Sequence, residues 1–564
     1  MTDAAGQGRL AELTIALSLA TDLGTGQPME HGLRTCMLSL SAAEAIGLDA
    51  EARSCVYHVA LLRFVGCTSD ASETAVLAGG DDLAFNASMA PMLNAQPRDT
   101  TRYFVRHLAE ELPLHRRTGR VLRAMADPAA GDRSLSGHCE VGARLASRLG
   151  MGADVCHALA HAYERWDGRG LPEHLAGEEV PQAIRIVAVA RDVELWARQA
   201  GWPAAAEVLA SRRGRAYDPA VVDVFLGDGQ RWLATLADDD DLRQTVLDAE
   251  PAPARTVVTA ARGVPDVPGV PEVTAAPGVP DVPGVPGVPA ARGVTDVPDV
   301  TGLPGTLDAV LGAVADFVDL KSPFLRGHSP GVAALAAAAA TAAGMSAADA
   351  ATLGRAGLVH DIGRVGVASG IWDRPGTLAT EQWERVRMHA YLGERVLHHS
   401  ELLAPLADLA ARHHERADGS GYHRGASGDQ LLLGARILAA ADAYQAMTEH
   451  RPHRPALSPS AAAAELLDEV DAGRFGRPEV DAVLAAAGHP TRPAQVPRPA
   501  GLTEREVDVL RLIARGHANK EVAARLGISA KTVGHHVEHI YAKAGVNTRA
   551  GATLYAMENG LLSS

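Results

Sequence analysis

In residues 501–564 the apolar side chains recur at helical spacing, with Val507, Leu510 and Ile513 on one face and polar residues between them. Thr503 followed by Glu506 has the form of a capping box, which opens a helix by satisfying its first free N–H groups. Gly516 ends that helix. A second is predicted over about Asn519–Leu526, Gly527-Ile528 makes a tight turn, and Ser529 caps a third. Val533, Val537 and Ile540 form the apolar face of the third helix, leaving Lys531, Thr532, His535, His536 and His539 outward. A short helix, a tight turn and a polar helix give the geometry that seats a recognition helix in a DNA major groove. A small helical bundle for protein contact is the other reading of the same pattern.

Upstream, Ala- and Leu-rich segments with helical patterning are interrupted twice. From about Glu250 to Gly305 the chain is built from Gly, Val and Pro, with GVPDVPGVP at Gly263 and again at Gly278. Recurrent Pro removes backbone donors and fixes φ, so this stretch predicts an extended spacer. A shorter Pro-rich break spans Gly488 to Ala500. The segments flanking the spacer read as copies of one another. His328 precedes His360-Asp361 by 32 residues, and His31 precedes Arg63-Phe64 by the same interval, with ALLRFVGC against GLVHDIGR. HAYERWDGRG from His161 parallels RHHERADGSG from Arg412, while the first copy carries about 45 extra residues between Gly66 and His138. The predicted order is therefore a first repeat (8–248), a linker (250–305), a second repeat (306–488), a short linker (489–500) and a DNA module (501–564). The expected fold is all-α.

Composition narrows the setting. The chain of 564 residues is too long for one hydrophobic core, and its scarce aromatics and plentiful Ala favour helices. No run is long and apolar enough to span a bilayer, the Ala run from Val332 to Ala343 included, and the N-terminus has no signal-like pattern. Cys36, Cys55, Cys67, Cys139 and Cys156 are odd in number and form no CxxC pair, which fits reduced thiols in a cytoplasmic protein. The net charge of −15 hides an asymmetry: residues 501–564 hold eight Lys/Arg and six Asp/Glu, so +2 there leaves −17 elsewhere. A near-neutral module on an acidic body suits a regulator whose DNA contacts are local.

The second repeat concentrates metal-ligating side chains: His328, His360, Asp361, His389, His413, His414 and Asp442. Imidazoles and carboxylates suit iron, manganese or zinc, and so many polar groups in an apolar helical frame would otherwise be costly to bury. The segment from about Leu307 to Ala487 resembles the HD-GYP metal-dependent phosphohydrolases. It carries Gly327-His328-Ser329, the HDIG run His360–Gly363, WDRPGTL at Trp372–Leu378, HHERADGSGYH at His413–His423, and Asp442 in ILAAADAYQAM.

That resemblance implies two divalent ions, iron or manganese, and hydrolysis of a cyclic dinucleotide, with cyclic di-GMP first among the substrates. It implies Asp361 as the bridging ligand, His328, His360 and Asp442 on one ion, and His389, His413 and His414 on the other. It also implies Arg364 as a phosphate clamp with a part in catalysis, Gly419, Gly421 and Tyr422 beside the nucleotide, and Glu415 and Asp418 as braces. The departures are Arg364 for the family's Lys, His423 for the Pro of GYP, Ala417 for a common Trp, and Phe324 where some members have a third-metal Glu. A receptor without turnover, or a phosphohydrolase of another nucleotide, fits the same ligand set.

In the first repeat Arg63-Phe64 replaces His-Asp, Ala162-Tyr163 replaces His-His, and Arg191 falls at the place of Asp442, while His31 and His138 persist. Guanidinium groups repel cations, so this copy is expected not to hydrolyse; ligand sensing and structural support are its two readings. Cys55 and Cys67 are candidates for redox or metal sensing. Residues 501–564 resemble the LuxR-type C-terminal domain, which implies a homodimer on double-stranded DNA. The implied contacts are Lys531, Thr532, His535 and His536 at bases or phosphates, and Asn519, Lys520, Lys543 and Arg549 at the backbone. The whole reads as a cytoplasmic transcriptional regulator without membrane attachment.

Overall fold

Ten of the described helices begin where the chain supplies a side-chain oxygen for the free N–H groups of the first turn. The side chains of Asp49, Asp81, Asp218, Asp241, Thr306, Ser346, Ser458, Thr503, Ser529 and Thr548 all accept such a bond. The computed structural model describes residues 7–108, 129–259, 306–490 and 502–559, with isolated positions between them. Most of the expected spacer, 260–305, and residues 491–499 of the second linker lie outside the described residues. Helices are the dominant element of the described chain. Its strands are Gln7–Arg9 and Val257–Thr259, antiparallel with Gly8 opposite Val258, which join the two ends of the first half.

Residues 1–490 form one compact unit and 491–564 another. In the larger unit both halves contribute to a single apolar core. The Ala-rich helix His328–Ala342 buries Ala336, Ala339 and Ala340 completely. A Cβ added at Gly357 of the helix Ala347–Val359 would lie 2.6 Å from Ala333 Cα, so small residues let these two backbones approach closely. The Ala run is thus a packing surface between helices.

The repeat seen in the sequence is also a repeat of construction. A Cβ at Gly363 would meet His389 O at 2.0 Å, and one at Gly66 would meet His138 O at 2.1 Å. Glu415 accepts from Arg424 N at 2.7 Å, and Glu164 from Glu173 N at 2.7 Å. Asp319 accepts from Ser329 N at 3.1 Å, and Asp22 from Gly32 N at 3.2 Å.

The smaller unit has helices Glu504–Ala514, Asn519–Leu526, Ala530–Ala544 and Arg549–Glu558. Val507, Leu510, Ile513, Val522, Val533, Ile540, Ala552 and Ala556 make its core. Gly527, at φ 65°, turns the second helix into the third in a conformation that glycine adopts at no steric cost.

Candidate metal centre

The centre collects side chains from five segments of the second half. His328 opens one helix, His360 and Asp361 follow the end of Ala347–Val359, and His389 lies within Thr380–His398. His413 and His414 follow Ala404–Ala411, and Asp442 lies within Leu433–Met447. All are buried except His414, which is half-buried. Three overlapping sets of ligand atoms lie close enough to share an ion: Asp361 with His389, His413 and His414; His328 with His360 and Asp361; and His360 with His413 and Asp442.

Asp361 stands between the sets. Its Oδ2 is 3.1 Å from His360 Nε2 and 3.6 Å from His328 Nε2, while its Oδ1 is 3.4 Å from both His389 Nε2 and His413 Nε2. Asp442 Oδ1 lies 3.2 Å from His328 Nε2, and its Oδ2 lies 3.9 Å from His414 Nδ1. The outer nitrogens fix the ring tautomers. His360 Nδ1 donates to Gly357 O at 2.8 Å, and His389 and His413 donate theirs to Val386 O and Ala410 O. His328 Nδ1 pairs with Glu449 Oε2 at 2.9 Å. Each of these rings therefore turns an Nε2 lone pair inward. His389 Nε2 and His413 Nε2, both acceptors, sit 3.1 Å apart, an arrangement that repels unless a cation lies between them.

The residues present fit divalent ions. His328 Nε2, His360 Nε2, both Asp361 oxygens, His414 Nε2 and Asp442 Oδ1 are buried without a hydrogen-bond partner, and orphaned polar atoms of this kind need a partner to offset their burial. Burial pulls His389 down to about 3 and His414 well below its usual value, so both are neutral, the state that binds a cation. Burial opposes the charge on Asp361, but Arg364 and His360 outweigh it and hold the carboxyl well below its usual range. Burial likewise opposes charging His360, yet without an ion Asp361 and Asp442 raise it to about 10, so a cation bound at its Nε2 would displace a proton.

Around this centre Arg364 lies with its Nε 2.8 Å from Asp361 Oδ2 and its guanidinium 4.7 Å from the Trp372 ring. Tyr422 stacks on His414 with ring centroids 4.6 Å apart. Gly419 takes φ 79°, and a Cβ at Gly421 would lie 2.4 Å from His414 O, so both glycines let the loop fold back on the ligands. Glu415 braces that loop through Arg424 N and Ala426 N, and Asp418 braces its turn through Ser420 N at 2.9 Å. Neither touches a candidate ligand in those bonds. Sequence reasoning missed Glu449 and Asp319; each is a single acid outside any motif. Asp319 accepts from Ser329 Oγ at 2.7 Å, and burial pushes its carboxyl up to about 6.

In the smaller unit Lys520, Lys531, Thr532 and His535 are exposed, and Asn519 and His536 half-exposed. Two expected DNA contacts are engaged within the unit. Arg549 donates to Ile513 O and His517 O, capping the end of the first helix, and Lys543 Nζ lies 2.7 Å from Glu506 Oε2. The capping logic that marked Thr503 and Glu506 holds no signal for these long-range partners.

Residues 130–221 and 312–478 match the HD domain family, and residues 500–556 match the luxR family of bacterial regulatory proteins. The 3'3'-cGAMP-specific phosphodiesterase 3 of Vibrio cholerae is 29% identical over 454 residues, 79% of this chain and 88% of that protein. A cyclic di-GMP phosphodiesterase of Thermotoga maritima is 33% identical over 147 residues, 26% of this chain and 39% of that one. The crystal structure of a cyclic GMP-AMP-specific phosphodiesterase of Vibrio cholerae aligns over 86% of this chain and 98% of its own, with TM-score 0.55 and 25% identity. The ligand cluster and its paired frame thus lie in segments that match the HD domain family, the last domain matches the luxR family, and the relatives are cyclic-dinucleotide phosphodiesterases.

Proposed function

We propose that the protein hydrolyses a 3'–5' phosphodiester of a cyclic dinucleotide in its second half and binds promoter DNA through its last domain. The observation that carries the first part is Asp361, whose two oxygens face two separate groups of imidazole nitrogens. His328, His360 and Asp442 would hold one divalent ion and His389, His413 and His414 the other, with Asp361 shared. Such ions supply positive charge at the phosphate and acidify a bound water. The chain's own groups do the rest. The outer carbonyls and Glu449 hold the rings in one tautomer. Arg364, kept charged by Asp361, is placed to pair with a phosphate oxygen. Trp372 and Tyr422 pack against His389 and His414 and limit water there.

For the substrate, cyclic GMP-AMP stands ahead of cyclic di-GMP. The relative named for it spans both halves of this chain, whereas the cyclic di-GMP relative spans about a quarter. Purified protein loaded with manganese or iron, given cyclic GMP-AMP, cyclic di-GMP and cyclic di-AMP in parallel, should turn over the first at least about tenfold faster in kcat/KM, a difference of about 1.4 kcal/mol. Equal or reversed rates would refute the substrate assignment. No turnover of any, with metal bound, would select a receptor.

For the DNA module, binding to a random duplex followed by anisotropy at rising salt tests the exposed face. Lys531→Ala should weaken binding and lower the salt slope by about one. Arg549→Ala should instead destabilise the domain by about 1–2 kcal/mol through its lost carbonyl bonds. A slope unchanged by Lys531→Ala would remove that side chain from the interface. Binding as a homodimer on two half-sites is part of the same proposal.

A further inference from the structure

The first half keeps the frame of the metal centre and fills it with different chemistry. In the aligned repeats Cys67 takes the place of Arg364, His138 that of His389, and Tyr163 that of His414. Gly66 packs on His138 O as Gly363 packs on His389 O. This brings Cys67 Sγ to 3.6 Å from His138 Nδ1 and 3.3 Å from Tyr163 Oη, which is itself 3.3 Å from His138 Nδ1. On the far side of the ring His138 Nε2 lies 2.7 Å from Asp70 Oδ1, and Ser134 Oγ donates to the other Asp70 oxygen.

A thiol, an imidazole and an orienting carboxylate in line form an activated-nucleophile arrangement. Asp70 requires Nε2–H as its donor, so Nδ1 is the base that faces the thiol. Once Nδ1 takes the thiol proton, the imidazolium lies between a thiolate and a carboxylate, with the Tyr163 hydroxyl as a further donor to sulfur. Burial opposes the charge on His138, but Cys67 and Asp70 raise it to about 10.

A second observation concerns Arg63, which is 5% exposed. Its Nη2 donates to Ala162 O at 3.0 Å, its Nε and Nη1 have no hydrogen-bond partner, and its guanidinium lies 5.4 Å from the Phe64 ring. Its charge acts on Cys139 and on Tyr163, whose hydroxyl bonds to Cys67. The groups bonded to Cys67 are His138 and Tyr163, with Asp70 behind His138 and with Cys139 and Arg63 acting on Tyr163. Cys139 is buried and its thiol is pushed up by that burial. Cys67 and Asp70 are partly exposed, which leaves an entrance for a small reagent.

We propose that Cys67 is a nucleophilic modification site of the first half, oxidised by hydroperoxides to a sulfenic acid. The Cys67 sulfur attacks one peroxide oxygen and the O–O bond breaks. The departing oxygen takes the proton held on His138 and leaves as water, or as an alcohol from an organic peroxide. Sulfur loses two electrons and the peroxide gains them, leaving Cys67–SOH and neutral His138. Thr68, the next residue, donates to Phe317 O at 3.1 Å on the helix Leu307–Asp319, so the modified residue adjoins a contact with the second half.

The test is iodoacetamide labelling of the full-length protein at pH 7, read by peptide mass at each cysteine. Cys67 should react at least about tenfold faster than the partly exposed Cys55 and Cys156. His138→Gln should bring Cys67 down to their rate. Hydrogen peroxide followed by dimedone should label Cys67 in the unmutated protein and much less in His138→Gln. Equal labelling of Cys67, Cys55 and Cys156 in the unmutated chain would overturn the proposal without any variant. Fast alkylation of Cys67 with no dimedone adduct would overturn the peroxide step.

Discussion

Asp361→Ala is expected to cut cyclic-dinucleotide turnover by about a thousandfold or more while leaving the helical fold intact. Asp361 offers one oxygen to His328 and His360 and the other to His389 and His413, so no other side chain can take over both duties. On the proposed two-ion reading, losing the shared ligand removes several kcal/mol of charge stabilisation at the phosphate, and about 4 kcal/mol corresponds to a thousandfold. Truncation leaves the Arg364 guanidinium without its close carboxylate, and the apolar core of the larger unit should keep the helices in place. Metal per chain, measured by elemental analysis after desalting, should fall in step with activity, and far-UV circular dichroism should not change. Asp361→Asn keeps the volume and removes the charge, so it should track Asp361→Ala in both readouts. Full metal content with normal turnover in either variant would remove Asp361 from the centre.

Legibility in the sequence followed the range of the interactions. The helices of the last domain were readable because their signals are local. Thr503, Glu506 and Ser529 cap the turns they begin, and the helix Asn519–Leu526 has the bounds its spacing predicted. The seven candidate ligands were also visible, because paired His-Asp and His-His runs are rare in helical sequence. The structure brings them together from positions as far apart as His328 and Asp442. What stayed hidden was held by single residues with distant partners. Glu449 orients His328 across 121 positions, and Arg549 caps a carbonyl 36 positions away. The pairing of Gln7–Arg9 with Val257–Thr259 escaped notice for the same reason, since three-residue strands carry no period. The Cys67–His138–Asp70 line was hidden in another way: the copy looked degenerate when judged by the ligands it had lost.

The reading of two repeats on either side of a spacer also left their mutual packing open, and there a second large effect is expected. Asp82→Ala should destabilise the larger unit by about 3–5 kcal/mol, the usual cost of stranding one member of a buried ion pair. Asp82 and Lys321 are both fully buried, and Lys321 Nζ donates to Asp82 Oδ2 at 2.7 Å across the two halves. Asp82 also accepts from Ser369 N at 2.6 Å and from Ser369 Oγ at 3.2 Å. Truncation therefore leaves an ammonium and a backbone N–H without partners in the interior. Lys321 precedes the loop leading to His328, and Ser369 follows the turn that carries Arg364, so the first half steadies both flanks of the metal centre through this one carboxylate. Urea unfolding of the full chain measures the loss. Adding Lys321→Met to Asp82→Ala should recover part of it, because the stranded charge is then gone, and the double variant should unfold later than the single. A single variant within about 1 kcal/mol of the unmutated protein would show that water reaches Lys321 and that this pair adds little to the joining of the halves.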